Sequence, residues 1–149
     1  LGQGYALIAS GGAALTTRLK AGNFPDYEQV IPKAQDKKVI LDTEGFHAAV
    51  RRASLIAADR SNAVRLDVKK GMIVLTSQSH ELGEAREEVP VAYDGEGLSV
   101  AYNARFLMDV LKNVESKEVV LELSTALAPG VFKPVGDDLY LCVVMPIRL

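Results

Sequence analysis

The sequence predicts an α+β fold: two β-α-β-β-β units, with their helices paired on one face of antiparallel sheets. Three observations lead there. Apolar residues alternate at period two through a succession of short runs, as in half-buried strands. Two of these runs lead through a capping residue into a helical face. Asp42 and Thr43 precede Phe46, Ala49, Val50 and Ala53, while Asn103 precedes Phe106, Leu107, Val110, Leu111 and Val114. The order strand, helix, three strands then recurs after roughly 60 residues, a period longer than that of solenoid repeats. Helices segregated to one side of antiparallel sheets define the class.

At 149 residues and 48% hydrophobic, the chain can bury a full core. No apolar run approaches a membrane span, and the start Leu1-Gly2-Gln3-Gly4-Tyr5 lacks the basic and apolar regions of a signal peptide. The missing initiator Met points to a fragment or a processed chain. A single cysteine, Cys142, rules out an internal disulfide and fits a reducing cytoplasm. The net charge of −2 argues against a strongly basic nucleic-acid binder but leaves room for a locally basic face.

Taken in order, runs at 5–9 and 13–19 flank Ser10-Gly11-Gly12, and paired glycines between apolar runs signal a hairpin because both can take positive φ. A lone hairpin is marginal in water, so this one reads as the trailing end of a sheet lying mostly outside the chain. Residues 21–38 are turn-rich and polar with two prolines, the character of a connector. The first unit then comprises strand 38–41, the helix after Asp42, and strands 64–68, 72–77 and 84–92. The second comprises strand 98–102, the helix after Asn103, and strands 119–123, 130–133 and 139–145.

Enzyme chemistry finds little footing. His47, His80 and Cys142 show neither nucleophile-and-base spacing nor that of zinc ligands. No phosphate-cradling glycine loop is present. The adjacent carboxylates of Glu87 and Glu88 fall in a strand, where neighbours point to opposite faces. Charge is what stands out. Glu81, Glu84, Glu87, Glu88, Asp94 and Glu96 are offset only by Arg86 in their stretch. By contrast Arg51, Arg52 and Arg60 in or after the first helix, and Arg105, Lys112 and Lys117 in or after the second, outnumber their acidic neighbours. Such an excess is too small to grip DNA, where each neutralised phosphate requires a cation; it suits a surface that stays near DNA, or an ordinary solvated helix face.

The chain closes on Cys142-Val143-Val144-Met145-Pro146-Ile147-Arg148-Leu149. Pro146 has no N–H to donate, so it ends the strand. Chain ends usually fray and are polar, so an apolar tail is either a cap on the core or part of a binding surface.

Three stretches carry a resemblance: Phe24-Pro25-Asp26-Tyr27 with Ile31-Pro32-Lys33, then Tyr102-Asn103-Ala104-Arg105-Phe106-Leu107 with Asp109-Val110-Leu111, and the ending Val144 to Leu149. With them the chain resembles the bacterial DNA polymerase III beta subunits, the replicative sliding clamps. The resemblance implies the DNA clamp fold, with residues 1–33 as the last hairpin and connector of a second, middle domain and 34–149 as a third, C-terminal domain. It implies a non-catalytic processivity factor with no cofactor: a cytoplasmic, nucleoid-associated homodimeric ring around duplex DNA. Its partners would be the polymerase alpha subunit, the clamp loader delta subunit and repair proteins carrying a clamp-binding motif. A peptide-docking domain acting without DNA is the alternative.

By position, the resemblance also implies three surfaces. A peptide groove would draw Pro25, Gln29 and Val30 from the connector, Asn103 and Phe106 from the second helix start, Leu127 and Pro129 from a loop, and Val143, Met145, Pro146, Ile147, Arg148 and Leu149 from the end. Gln29 stands where many relatives have Arg, and Phe106 where they have Tyr, so two polar handles are gone. Arg51, Arg52, Arg60, Arg105 and Lys112 would face DNA. Leu55, Ile56, Glu84, Glu87 and Glu88 would form the dimer contact.

Overall fold

A computed structural model describes residues 4–23, 26–57, 62–137 and 139–148. It begins with the hairpin β1 (Tyr5–Ser10) and β2 (Ala13–Arg18). Ser10 pairs with Ala13, leaving the two-residue loop Gly11-Gly12, whose φ angles of 55° and 82° require glycine. Tyr5, Leu7, Ile8 and Leu15 are all exposed, so neither face of this hairpin is covered among the described residues. One turn of 3₁₀ helix, Tyr27–Gln29, follows.

The body alternates as its pattern predicts. The first unit is β3 (Lys37–Asp42), α1 (Thr43–Ile56), β4 (Ala63–Lys69), β5 (Met72–Ser79) and β6 (Gly83–Pro90). The second is β7 (Leu98–Asn103), α2 (Ala104–Lys112), β8 (Glu118–Leu123), β9 (Gly130–Pro134) and β10 (Cys142–Val144). Both helices are capped as expected. The Asp42 carboxylate accepts from Gly45 N–H at 2.7 Å, and the Asn103 side-chain oxygen accepts from Arg105 N–H at 2.9 Å.

The two units exchange their first strands. One sheet runs β10-β9-β8-β3 and the other β6-β5-β4-β7, every pair antiparallel, so β3 completes the second meander and β7 the first. Neither unit can close its sheet alone. The helix starts are tied with the same symmetry: Thr43 N–H donates to the Lys117 carbonyl and Ala104 N–H to that of Asn62. A single core joins the sheets to the paired helices through Phe46, Val50, Leu66, Leu107, Leu121 and Phe132. The buried Ser77 hydroxyl donates to the Ala53 carbonyl at 2.7 Å, fixing β5 to α1.

Three expectations need correction. Phe106 is not part of the buried face of α2: Ala104, Leu107, Val110 and Leu111 are buried, and Phe106, about 100° around the helix from Leu107, is 57% exposed. The last strand is shorter than 139–145, because Leu139 is exposed and its N–H is held by the Asp137 carboxylate rather than by a ladder. Strand 84–92 ends instead at Pro90, which is tolerated because β6 is a sheet edge; Ala92 makes only a separate bridge to Ile40.

On β8, in the β10-β9-β8-β3 sheet, Glu122 is buried between the ammonium groups of Lys133, at 2.8 Å, and Lys38, at 3.4 Å. Burial alone would raise its carboxyl pKa; the two cations outweigh that and hold it below the usual carboxylate range. A carboxyl more acidic in the folded than in the unfolded chain stabilises the fold above its unfolded pKa, and that contribution is lost as pH falls through the folded value. Replacing Glu122 with Gln therefore lowers stability at neutral pH, and the gap from wild type narrows on acidification. Urea unfolding of both proteins at pH 7 and pH 3 checks this, and a gap independent of pH refutes it.

Candidate functional site

After β10 the chain leaves one sheet and reaches the other. Pro146 stops the ladder, and one residue on the Ile147 N–H donates to the Ala101 carbonyl at 2.7 Å. Ala101 lies on β7, the outer strand of its sheet, whose free edge offers unpaired carbonyls. The tail is thus pinned across the gap between β10 and β7.

Two hollows border it. The larger, about 500 Å³, is lined by Arg65, Ser99, Val100, Ala101, Ala126, Leu127, Ile147 and Arg148. The smaller, about 350 Å³ and mostly apolar, is lined by Phe106, Asp109, Val110, Cys142, Val143, Val144 and Met145. The structure therefore brings Leu127, Ile147 and Arg148 together, and separately Phe106, Val143 and Met145. Met145 is 61% exposed although wholly apolar, as is Leu127 at 62%. Exposed apolar side chains clustered on a concave surface, rather than scattered singly, mark a place where a partner is bound.

The remaining groove candidates are placed less directly. Pro146 is half-buried between the two groups. Asn103 spends its side-chain oxygen on the α2 cap, and the Pro129 carbonyl accepts from the Gln35 amide at 3.0 Å. Gln29 donates to the Asp26 carboxylate at 3.2 Å, and Val30 is exposed beside it; neither is in the lining of these two hollows. Pro25 and Leu149 lie outside the described residues.

Arg51, Arg105 and Lys112 are exposed on the helices, and Arg60 lies outside the described residues. Arg52 is differently engaged. Its guanidinium donates to the Glu87 carboxylate at 2.7 Å, and that hydrogen bond lowers the Glu87 pKa. Thus a cation expected to face DNA is paired with a carboxylate expected at the dimer contact. Period two explains it: Glu87 points from β6 towards α1, while Glu84 and Glu88 point away and are exposed. Leu55 is 68% exposed near the end of α1 and Ile56 is half-buried. β6 is a sheet edge, so its unpaired backbone is open on that side.

Sequence reasoning missed Arg65 and Ser99, which line the larger hollow. The available signal was parity. Val64, Leu66 and Val68 face the core, so Arg65 and Asp67 face outward; register then sets Arg65 beside Ala101 and Asp67 beside Ser99. Cys142 was placed in a strand but not in a hollow; burial pushes its thiol pKa up, away from the reactive thiolate. No three His, Cys, Asp or Glu side chains among the described residues stand together as a metal site, and no helix there is long and apolar enough to cross a membrane.

Comparison with known proteins adds the following. A family model for the C-terminal domain of the DNA polymerase III beta subunit matches residues 28–148. The beta sliding clamp of Pseudomonas putida is 34% identical over 149 residues, all of this chain and 41% of the relative. That of Caulobacter vibrioides is 38% identical over 139 residues, 93% of this chain and 37% of the relative. A crystal structure of a Bartonella birtlesii sliding clamp bound to griselimycin superposes with a TM-score of 0.86 at 34% identity, covering all of this chain and 40% of that one. The chain thus spans about two-fifths of the length of these relatives.

Proposed function

Since the chain belongs to the DNA polymerase III beta subunit family, we propose that it is the C-terminal part of a sliding clamp whose contribution is to dock replication partners beside the ring. Residues 34–149 form the third domain in this reading, and the exposed apolar hairpin before them is the end of the second. The whole protein encloses duplex DNA as a homodimer in the bacterial cytoplasm, at the nucleoid, and catalyses nothing itself. Processivity then follows from topology: a closed ring keeps the polymerase at high effective concentration near the primer end without tight DNA binding. Arg51, Arg105 and Lys112 provide a weak, sequence-independent attraction to phosphates and no base readout. Leu55 with the exposed Glu84 and Glu88 of the β6 edge forms the contact with the next protomer.

The observation that carries the docking role is the tail pinned to Ala101, with two hollows beside it, the smaller mostly apolar and the larger walled in part by Leu127 and Ile147. Segments of the polymerase alpha subunit, the clamp loader delta subunit and repair proteins would place adjacent apolar anchors there. Griselimycin, held by the Bartonella relative, would compete for the same surface. Fluorescence anisotropy with a labelled linear peptide bearing two adjacent large apolar residues tests this. Saturable binding to the chain, displaced by griselimycin, is expected; no binding at any accessible concentration overturns the docking role. For the full-length parent, retention on closed circular primed DNA but loss from linear DNA is expected, and equal retention on both argues against a ring.

A further inference from the structure

Resting on the docking reading, we propose that Arg65, held in place by Asp67 and Ser99, makes with Arg148 an anion-accepting end to the larger hollow. It selects peptide segments that carry a carboxylate within one residue of their apolar anchor.

Arg65 projects outward from β4 beside Ala101, the residue to which the tail is pinned. Its Nε–H donates to Asp67 Oδ1 at 2.9 Å, and one Nη2 hydrogen reaches Ser99 Oγ at 3.3 Å. The Ser99 hydroxyl donates in turn to the same Asp67 oxygen. These bonds close a ring of three side chains on one sheet face, so the guanidinium is oriented before any ligand arrives. A guanidinium has five N–H donors; this ring uses two, and the remaining edge is open to solvent, the side chain being half exposed. Arg148 lines the same hollow and makes no hydrogen bond or ion pair among the described residues. Among the described residues, two arginines face one neutralising carboxylate, that of Asp67, in a chain whose net charge is −2.

The rest of the lining decides what kind of anion fits. Leu127 and Ile147 stand beside the cations. A bare phosphate would leave that apolar wall wet, whereas a peptide can bury a side chain against it and present an acidic neighbour to the guanidinium. Pre-oriented arginine pairs bidentately with carboxylates, and charge-assisted bonds are the stronger ones.

The test uses four labelled peptides with a common apolar pair, having Asp or Asn immediately before or immediately after it. Anisotropy titrations with the chain should show at least one Asp peptide binding about tenfold tighter than its Asn counterpart, the size of one charge-assisted bond. That preference should shrink with added salt. In Arg65→Gln the Asp-to-Asn ratio should fall towards one, and Arg65→Lys should restore part of it. Equal binding of every Asp and Asn pair, or a ratio unchanged in Arg65→Gln, overturns the anion-accepting end and leaves the docking role standing. Failure of all four peptides to bind overturns the docking role, and this inference with it.

Discussion

Truncating Phe106 and Met145 together to alanine should weaken binding of the apolar-anchored peptide at least about thirtyfold, the loss of one interface hot spot, with little change in folding stability. The two parts of this expectation have one cause. Both side chains line the smaller hollow, and both keep more than half of their surface in water when no partner is present. In the free protein they bury little, so shortening them removes little; exposed substitutions away from special features usually stay within about 0.5 kcal/mol. In a complex they would become the apolar walls around a partner's anchor, where truncation loses contact area and admits water. Leu107, a neighbour of Phe106 in sequence, supplies the contrast. It is fully buried, and its truncation should cost about 2–5 kcal/mol of stability. Anisotropy titration alongside thermal unfolding separates the cases. Undiminished peptide binding by the double variant would place the anchor elsewhere on the chain.

Much of the fold was legible because burial leaves a parity signal. Alternation located every strand of the body, and Asp42 and Asn103 marked both helix starts, since a short side-chain acceptor there satisfies a free backbone N–H. The exchange of β3 and β7 was not legible. Alternation tells which face of a strand is buried; it does not tell which strand lies alongside, and neither the distant partner of β3, where Val39 pairs with Leu121, nor the nearer one of β7, where Val64 pairs with Tyr102, leaves a local trace. Phe106 was misplaced for a related reason. Beside Leu107 it looks like one more apolar residue of the helix, and only the stripe Ala104, Leu107, Val110, Leu111 reveals it as out of phase.

The candidate site divides the same way. Its tail announced itself, because large apolar residues after a strand-ending proline have no ladder to hold them. Arg65 could not be found from the tail, since the two meet only through β7, which pairs with β4 and also receives the tail's N–H. Glu87 was within reach of sequence reasoning. Its parity differs from that of Glu84 and Glu88, so a period-two strand must turn it to the other face. That face carries α1 and Arg52.

Where the two sheets approach one another, one position leaves no room at all. Gly130 opens β9, and a Cβ built on it would overlap the hydroxyl of Tyr102 and stand 3.1 Å from the ring carbon bearing it and 3.3 Å from a methyl of Leu121. Tyr102 is fully buried on β7 and Leu121 fully buried on β8, so neither can swing away into solvent. Gly130→Ala is therefore expected to destabilise the fold by about 1–3 kcal/mol, the usual cost of overpacking a core. The collision is with one oxygen, which gives the expectation a sharper form. The Tyr102 hydroxyl finds no hydrogen-bond partner among the described residues, and burial raises its pKa, so it stays a neutral phenol. Removing it as Tyr102→Phe deletes a poorly satisfied group and the obstacle together. In the Tyr102→Phe background, Gly130→Ala should lose at least half of its cost. A double-mutant cycle by chemical denaturation measures the coupling directly. Additive costs would mean that the strain at Gly130 comes from the backbone or from Leu121; a large coupling would locate it at the contact that holds β7 of one sheet against β9 of the other. That contact matters for the site, because β7 receives the tail and β9 pairs with the strand from which the tail departs. A variant that spreads them should loosen peptide binding even though it touches neither hollow.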